Sequence, residues 1–411
     1  MKQKILTRLK STQKPVIING AGMVGETVLG FCRDNGIAVA GFCDGSLKVE
    51  GTDFHGFKVM HTQRLKDHYP DALILVTAAA IKDVVDMLRE EGFEDWVAAG
   101  PLLEDLDVGQ NSPALDFHKF SVETCIICHA GYLNPERAFL RSIDLIITER
   151  CSLKCKDCSN LMQYYENPKN VALDLLFQSV DALCLALDEI MELRVIGGDA
   201  FMNKQWPLVV EKLLGEPKIK RVVIYTNGAI VPKVDHAPLL KHPKVLTIAT
   251  DYGALSSNMD KLIHYFVEHG IAHRILQVDS WLDCASLEKH ERSKEDNAKV
   301  YQDCCAKNML SLSDGKLFRC PFAANADRLS AVPEFNGDYV DVLAAVSSPA
   351  GVAGAGRKIM DYVLNKGALE VCDYCNGRPL SGVEVKPAVQ TEEPLSFRKF
   401  PRIQPIHQYE K

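Results

Sequence analysis

The 411-residue chain has no apolar run long enough to cross a bilayer. Its opening residues, Met1 to Lys10, carry charges with no apolar stretch behind them, so no secretory signal is expected and the expected compartment is the cytoplasm. Positive charge is not in excess. Lys and Arg number 47 against 54 Asp and Glu, a formal charge of −7. No global field therefore recruits nucleic acid, and no local basic patch stands out. There is no internal repeat. What remains, 47% hydrophobic and 25% charged residues, is the composition of a globular protein, and the length argues for two or three domains.

Cysteine, by contrast, is plentiful at fourteen residues. In an unexported protein disulfides are not expected, which leaves metal binding, catalysis or burial. Most cluster: 125/128, 151/155/158, 304/305/320 and 372/375. Cys32, Cys43, Cys184 and Cys284 stand alone and read as buried packing.

Apolar runs alternate with helical patterns along most of the chain, which predicts an α/β fold with parallel sheets. Runs at 15–19, 37–43 and 72–77 with helices through Arg33 and over 82–91 indicate a Rossmann-like parallel sheet over 1–108. Residues 109–140 read as a connector. A second series starts with the strand 142–148, and further strands are expected at 193–196, 221–226, 245–250 and 271–278. It predicts a core over 141–300 with its chemistry at the strand C-terminal ends. Residues 301–380 lose this rhythm and hold the later cysteines. The tail, 381–411, is rich in Pro and charge and is expected to drape over the surface or move.

Cys151-Ser-Leu-Lys-Cys155-Lys-Asp-Cys158 directly follows the strand at 142–148. Three thiolates on one loop suit three irons of a 4Fe–4S cube and leave one iron open. A zinc site or a chance cluster is the alternative. The spacing resembles the radical S-adenosylmethionine superfamily, whose loop reads Cys-x3-Cys-x2-Cys after the first strand of a partial (β/α)6 TIM-type barrel. That resemblance implies that the open iron chelates S-adenosylmethionine. One electron then cleaves it, and a 5′-deoxyadenosyl radical abstracts hydrogen from substrate. It implies a reductant such as flavodoxin or ferredoxin. Asp157 stands where the family usually carries an aromatic residue near adenine. Gly197-Gly198-Asp199-Ala200 is similar to the family's Gly-Gly-Glu-Pro motif, and Thr226, Asn227 and Asp251 follow the next two strands. All are candidates to contact S-adenosylmethionine.

Cys305-x9-Gly315-x4-Cys320 followed by Cys372-x2-Cys375 supplies four thiolates, enough for a closed second 4Fe–4S cluster. Structural zinc uses the same ligands. Gly315 suits a hairpin turn, and Cys304 satisfies the pattern as well as Cys305. The set resembles the family's auxiliary-cluster extensions. With no cysteine after 375, it is closer to the single-cluster twitch form than to the seven-cysteine SPASM domain.

Two motifs stay open. Cys125-Ile-Ile-Cys128-His129 matches c-type haem attachment, which requires export; a thiol pair or another metal site is the other reading. Gly20-x-Gly22-x-x-Gly25, with Asp44 closing the next strand, is the dinucleotide fingerprint in its context. It also resembles small Rossmann-like modules of sugar-modifying transferases, here ending in Gly41-Phe-Cys-Asp44. NAD, another nucleotide such as a nucleotide-sugar, and a docking role are all admissible. The expected activity is radical modification of a small polar substrate, with oxidation or epimerisation of a sugar or aminocyclitol first. A peptide maturase and a non-enzymatic iron–sulfur sensor or scaffold are the alternatives.

Overall fold

The computed structural model describes residues 1–106 and 113–402. The expected boundary at 108/109 and the last nine residues of the tail lie outside them. The chain folds as two compact units, Met1–Arg141 and Ser142–Lys411. No helix among the described residues is long and apolar enough to cross a membrane.

The first unit is a six-stranded sheet. Its strands are β1 (Val16–Asn19), β2 (Val39–Asp44), β3 (Asp53–Phe54), β4 (Phe57–His61), β5 (Leu73–Val76) and β6 (Trp96–Ala98), in the order β3-β4-β2-β1-β5-β6. All neighbours are parallel except β3 and β4. The central strands β1 and β5 are buried along their whole length, as two-sided burial in a parallel sheet requires. The stretch read as a connector contains a 20-residue helix, Pro113–Tyr132. Val122, Cys125 and His129 recur at helical spacing and are buried, so the thiol pair is part of a core stripe.

The second unit is built on an eight-stranded sheet. In chain order its strands are β7 (Phe139–Thr148), β8 (Glu189–Gly197), β9 (Ile219–Thr226), β10 (Val245–Asp251) and β11 (His273–Gln277). Then come β13 (Leu310–Ser313), β14 (Lys316–Phe318) and β15 (Tyr339–Asp341), after a short strand β12 (Trp281–Leu282) outside the sheet. The spatial order β11-β10-β9-β8-β7-β13-β14-β15 leaves β11 and β15 at the two edges, so the described residues form an open sheet with no closed barrel. β8 through β11 pair in parallel, and β13 pairs in parallel with β7. Three strands past residue 300 thus join the same sheet. β14 and β15 continue it antiparallel. The turn between β13 and β14 is Asp314-Gly315, with φ of +49° and +79°. A two-residue hairpin of this type places both residues in the left-handed region, where glycine is the natural occupant. The tail is tied down: β16 (Glu384–Val385) pairs antiparallel with β12, and the Phe400 N–H donates to the Ser330 carbonyl at 2.8 Å.

Candidate functional site

Loops after β7, β8 and β9 and the end of β10 converge on one cleft in the second unit. Cys151, Cys155 and Cys158 line it, with Asp157 between them, and Gly198, Thr226, Asn227 and Thr250 face them. The three thiols sit among apolar neighbours. Desolvation pushes Cys151 up to about 12 and Cys155 up to about 11, and raises Cys158. Unaided, such thiols stay protonated; a bound cation reverses that balance. Their hydrogen-bond partners are N–H donors. Leu153 N–H donates to Cys151 Sγ at 3.4 Å and Gln390 Nε2 to Cys155 Sγ at 3.3 Å. Asn227 Nδ2 lies 3.6 Å from Cys151 Sγ and donates to Ser152 Oγ at 2.9 Å. N–H donors to sulfur are the usual surroundings of iron–sulfur thiolates.

The Gly197-Gly198 pair serves the loop as much as any ligand. A Cβ at Gly197 would stand 2.1 Å from the Thr148 carbonyl oxygen, and one at Gly198 2.2 Å from that of Arg150. Gly198 N–H donates to Thr148 O and Asp199 N–H to Arg150 O, so the end of β8 is sewn to the root of the cysteine loop. Gly198→Ala is expected to push Arg150 and Cys151 out of place. The readout is iron retained after anaerobic reconstitution, which should fall below half of wild type; full retention counts against it.

Three residues expected in the cleft, Gly197, Asp199 and Asp251, do not line it. Asp199 is 1% exposed. Its Oδ1 accepts from Phe201 N–H, and its Oδ2 accepts from Thr226 Oγ1 and Asn227 N–H, both at 2.8 Å. The carboxylate is consumed in shaping the 226–227 turn, and burial raises its pKa. Asp251 accepts from Gly253 N–H at 2.8 Å and closes a surface turn. Thr250, Tyr252, Trp281, Cys284 and Arg378 line the cleft instead. Tyr252 and Trp281 meet edge to face at 5.7 Å. Nothing in their local spacing marks these residues, because they come from separate segments.

A second cavity is lined by Cys304, Cys320, Cys372 and Cys375, with Ser159, Cys284 and Arg378 shared between the two. Cys305 is exposed and does not line it. The reason is local pairing: Cys305 N–H donates to Arg378 O at 2.9 Å and Cys304 bridges Pro379, so the two adjacent side chains point apart. Burial raises Cys320 and Cys375 and pushes Cys372 up to about 11. Cys320 Sγ accepts from Ala323 N–H and Cys375 Sγ from Gly377 N–H. Neighbouring Arg319 is fixed by Gly367 O at 2.7 Å and lies over Tyr301 and Tyr362. Among the described residues no three His, Cys, Asp or Glu side chains close on the position of a single ion. In both places the thiols line a cavity.

In the first unit the glycine turn is stapled by its own acid. Asp44 accepts from Ala21 N–H at 2.9 Å and Ser46 N–H at 2.8 Å. A Cβ at Gly25 would lie 2.0 Å from Gly20 O, whereas Gly22 has open space. Gly25 is therefore a packing glycine, and Gly22 leaves an approach for a ligand. His129 is buried with both ring nitrogens engaged: Nδ1 accepts from Gly100 N–H, and Nε2 lies 2.9 Å from Ala78 O. Burial lowers it to about 4. With Cys125 and Cys128 buried on the same helix, the haem-attachment pattern has no open face here.

No family model matches the chain. Among solved structures it is similar to BtrN in complex with AdoMet and 2-DOIA: 17% identity over 62% of this chain and 97% of that one, TM-score 0.38. It is also similar to native anSMEcpe with bound AdoMet and Cp18Cys peptide, at 14% identity over 45% and 74%, TM-score 0.34. A third is HydG, a maturase of the FeFe-hydrogenase, at 15% identity over 49% and 46%, TM-score 0.26. At these scores the functional reading rests on the residues themselves.

Proposed function

We propose that the chain is a radical S-adenosylmethionine enzyme acting on a small polar substrate, a sugar or aminocyclitol that it oxidises or epimerises. The observation that carries this is the convergence of Cys151, Cys155 and Cys158 with the ends of β8, β9 and β10 on one cleft. Those three thiols would hold a 4Fe–4S cluster, and Cys304, Cys320, Cys372 and Cys375 a second. When bound, the first cluster and S-adenosylmethionine supply a reductively generated organic radical that removes hydrogen from substrate.

The chain's own residues bind, orient and shield. Gly198, Thr226, Asn227 and Thr250 offer backbone and side-chain polar atoms to the amino-acid part of the cofactor. The Tyr252–Trp281 pair offers the aromatic surface for adenine that Asp157 does not. Arg378 stands at the wall common to both cavities, with its Nε buried and unpartnered, and is suited to a substrate oxygen. A flavodoxin or ferredoxin is the expected electron donor. In the first unit, the open approach at Gly22 suits the phosphates of NAD or a nucleotide-sugar.

Anaerobically reconstituted protein is expected to bind about eight irons and to form 5′-deoxyadenosine with dithionite. A sensor or scaffold would form none. Cys304→Ser is expected to lose about four irons while Cys305→Ser keeps them all. The reverse result would return the fourth ligand to Cys305.

A further inference from the structure

The C-terminal tail crosses the cysteine loop as a strap. Lys156 N–H donates to Val389 O and Thr391 N–H to Lys154 O, both at 2.7 Å, forming an antiparallel bridge between Cys155 and Gln390. Inside this bridge the Gln390 side chain is held at both ends. Its Oε1 accepts from Lys154 N–H at 2.7 Å, and its Nε2 donates to Ala388 O at 2.8 Å and to Cys155 Sγ at 3.3 Å. The amide cannot be reversed, because Lys154 offers a donor and Ala388 an acceptor. Ala388 is 4% exposed and packs with Leu153 and Cys155. It takes a φ of +55°, a conformation that side-chain-bearing residues adopt only where surroundings impose it. The strap is anchored on either side. Trp281 pairs with Val385 in the β12–β16 ladder, and Leu395 N–H donates to Gln163 O at 2.8 Å.

We infer that Gln390 is a positioning residue for the cysteine loop, donating a hydrogen bond to the Cys155 sulfur that raises the reduction potential of the cluster held there and screens that sulfur from water. This rests on the proposed function in that Cys155 is taken as an iron ligand. The physical reason is charge. Reduction adds an electron to an anionic cluster and its thiolates, and an N–H donor on a thiolate stabilises the reduced state more than the oxidised one. The donor is neutral and its own residue is exposed, but the sulfur it reaches belongs to Cys155, 6% exposed, so the contact itself is half-buried and only partly screened. The same anchors place Trp281 in the cleft wall, so cofactor pocket and cluster loop are tied to one segment more than 220 residues away from the loop in sequence.

The test is a potentiometric titration of the full-length reconstituted protein, followed by electron paramagnetic resonance. The signal that changes on adding S-adenosylmethionine reports the Cys151/155/158 cluster, and the unresponsive one is the internal control. Gln390→Leu removes the donor and is expected to move the responsive signal to lower potential and to speed its bleaching in air. Gln390→Glu keeps the shape and the acceptor for Lys154 N–H, replaces the donor by a negative charge, and should move it further. The control signal and the thermal midpoint should stay in place. Unchanged potential and bleaching in both variants would overturn the inference while leaving the proposed function standing. A wild-type protein with no responsive iron signal would overturn both.

Discussion

Cys155→Ala is expected to reduce 5′-deoxyadenosine formation to background and to lower bound iron from about eight to about four per chain. Cys155 is 6% exposed and is the thiol that the tail strap grips, so its sulfur has little freedom to be replaced by a neighbour. Two remaining thiols on the loop would leave half the irons of the proposed cube unanchored. The second cavity draws its four thiols from other segments and should keep its iron. That retained half separates loss of the site from loss of the fold. The fold should survive because the substitution removes one sulfur from a loop, with no strand or helix broken. Persistent cleavage at this position would sink the assignment of the loop.

Arg328→Leu should have the largest effect on stability, about 3–5 kcal/mol. Arg328 lies in the helix Pro321–Leu329 with its side chain 1% exposed. It pairs with Glu149 Oε1 at 2.6 Å and with Asp314, and donates to Ser313 Oγ at 2.9 Å. Glu149 is itself buried, and its Oε2 accepts from Lys169 N–H at 2.9 Å. Removing the guanidinium strips buried Glu149 and half-buried Asp314 of the cation they share, which costs more than the pair itself contributes. Because Glu149 precedes Arg150-Cys151, the damage should reach the cluster loop and appear as lower iron retention too. Urea unfolding measures the loss. The double variant Arg328→Leu/Glu149→Gln should recover part of it, since one stranded charge is gone. A change below about 1 kcal/mol, the range of exposed pairs, would show that water reaches the network.

The strands were legible because their apolar runs are continuous and buried. Those expected at 221–226 and 245–250 appear as Ile219–Thr226 and Val245–Asp251. The helix expected over 82–91 appears as Ile81–Glu90. Helix Pro113–Tyr132 is hidden in the sequence by Pro113, Pro135 and the Cys125/Cys128 pair, which give the stretch the look of a connector. Its apolar recurrence at 122, 125 and 129 carried the helical period. In the site, Thr226 ends β9 and Asn227 follows it directly, and their place in the cleft could be read from that order. Asp199 follows the end of β8 but turns inward, where its Oδ2 accepts from Thr226 Oγ1 and the Asn227 N–H.

The sequence alone determined the α/β rhythm, the loop of three thiols behind β7, and the existence of a later set of cysteines. These depend on residues a few positions apart, whose relations are set by chain geometry. Tertiary structure decided the rest. It chose Cys304 over Cys305 for the second cavity, through the pairing of that backbone with residues 378–379. It set Trp281, Cys284 and Arg378 in the cleft walls and laid Gln390 against Cys155. Those positions follow from strand pairing and burial across hundreds of residues, where a one-residue change of register reverses which side chain faces the site.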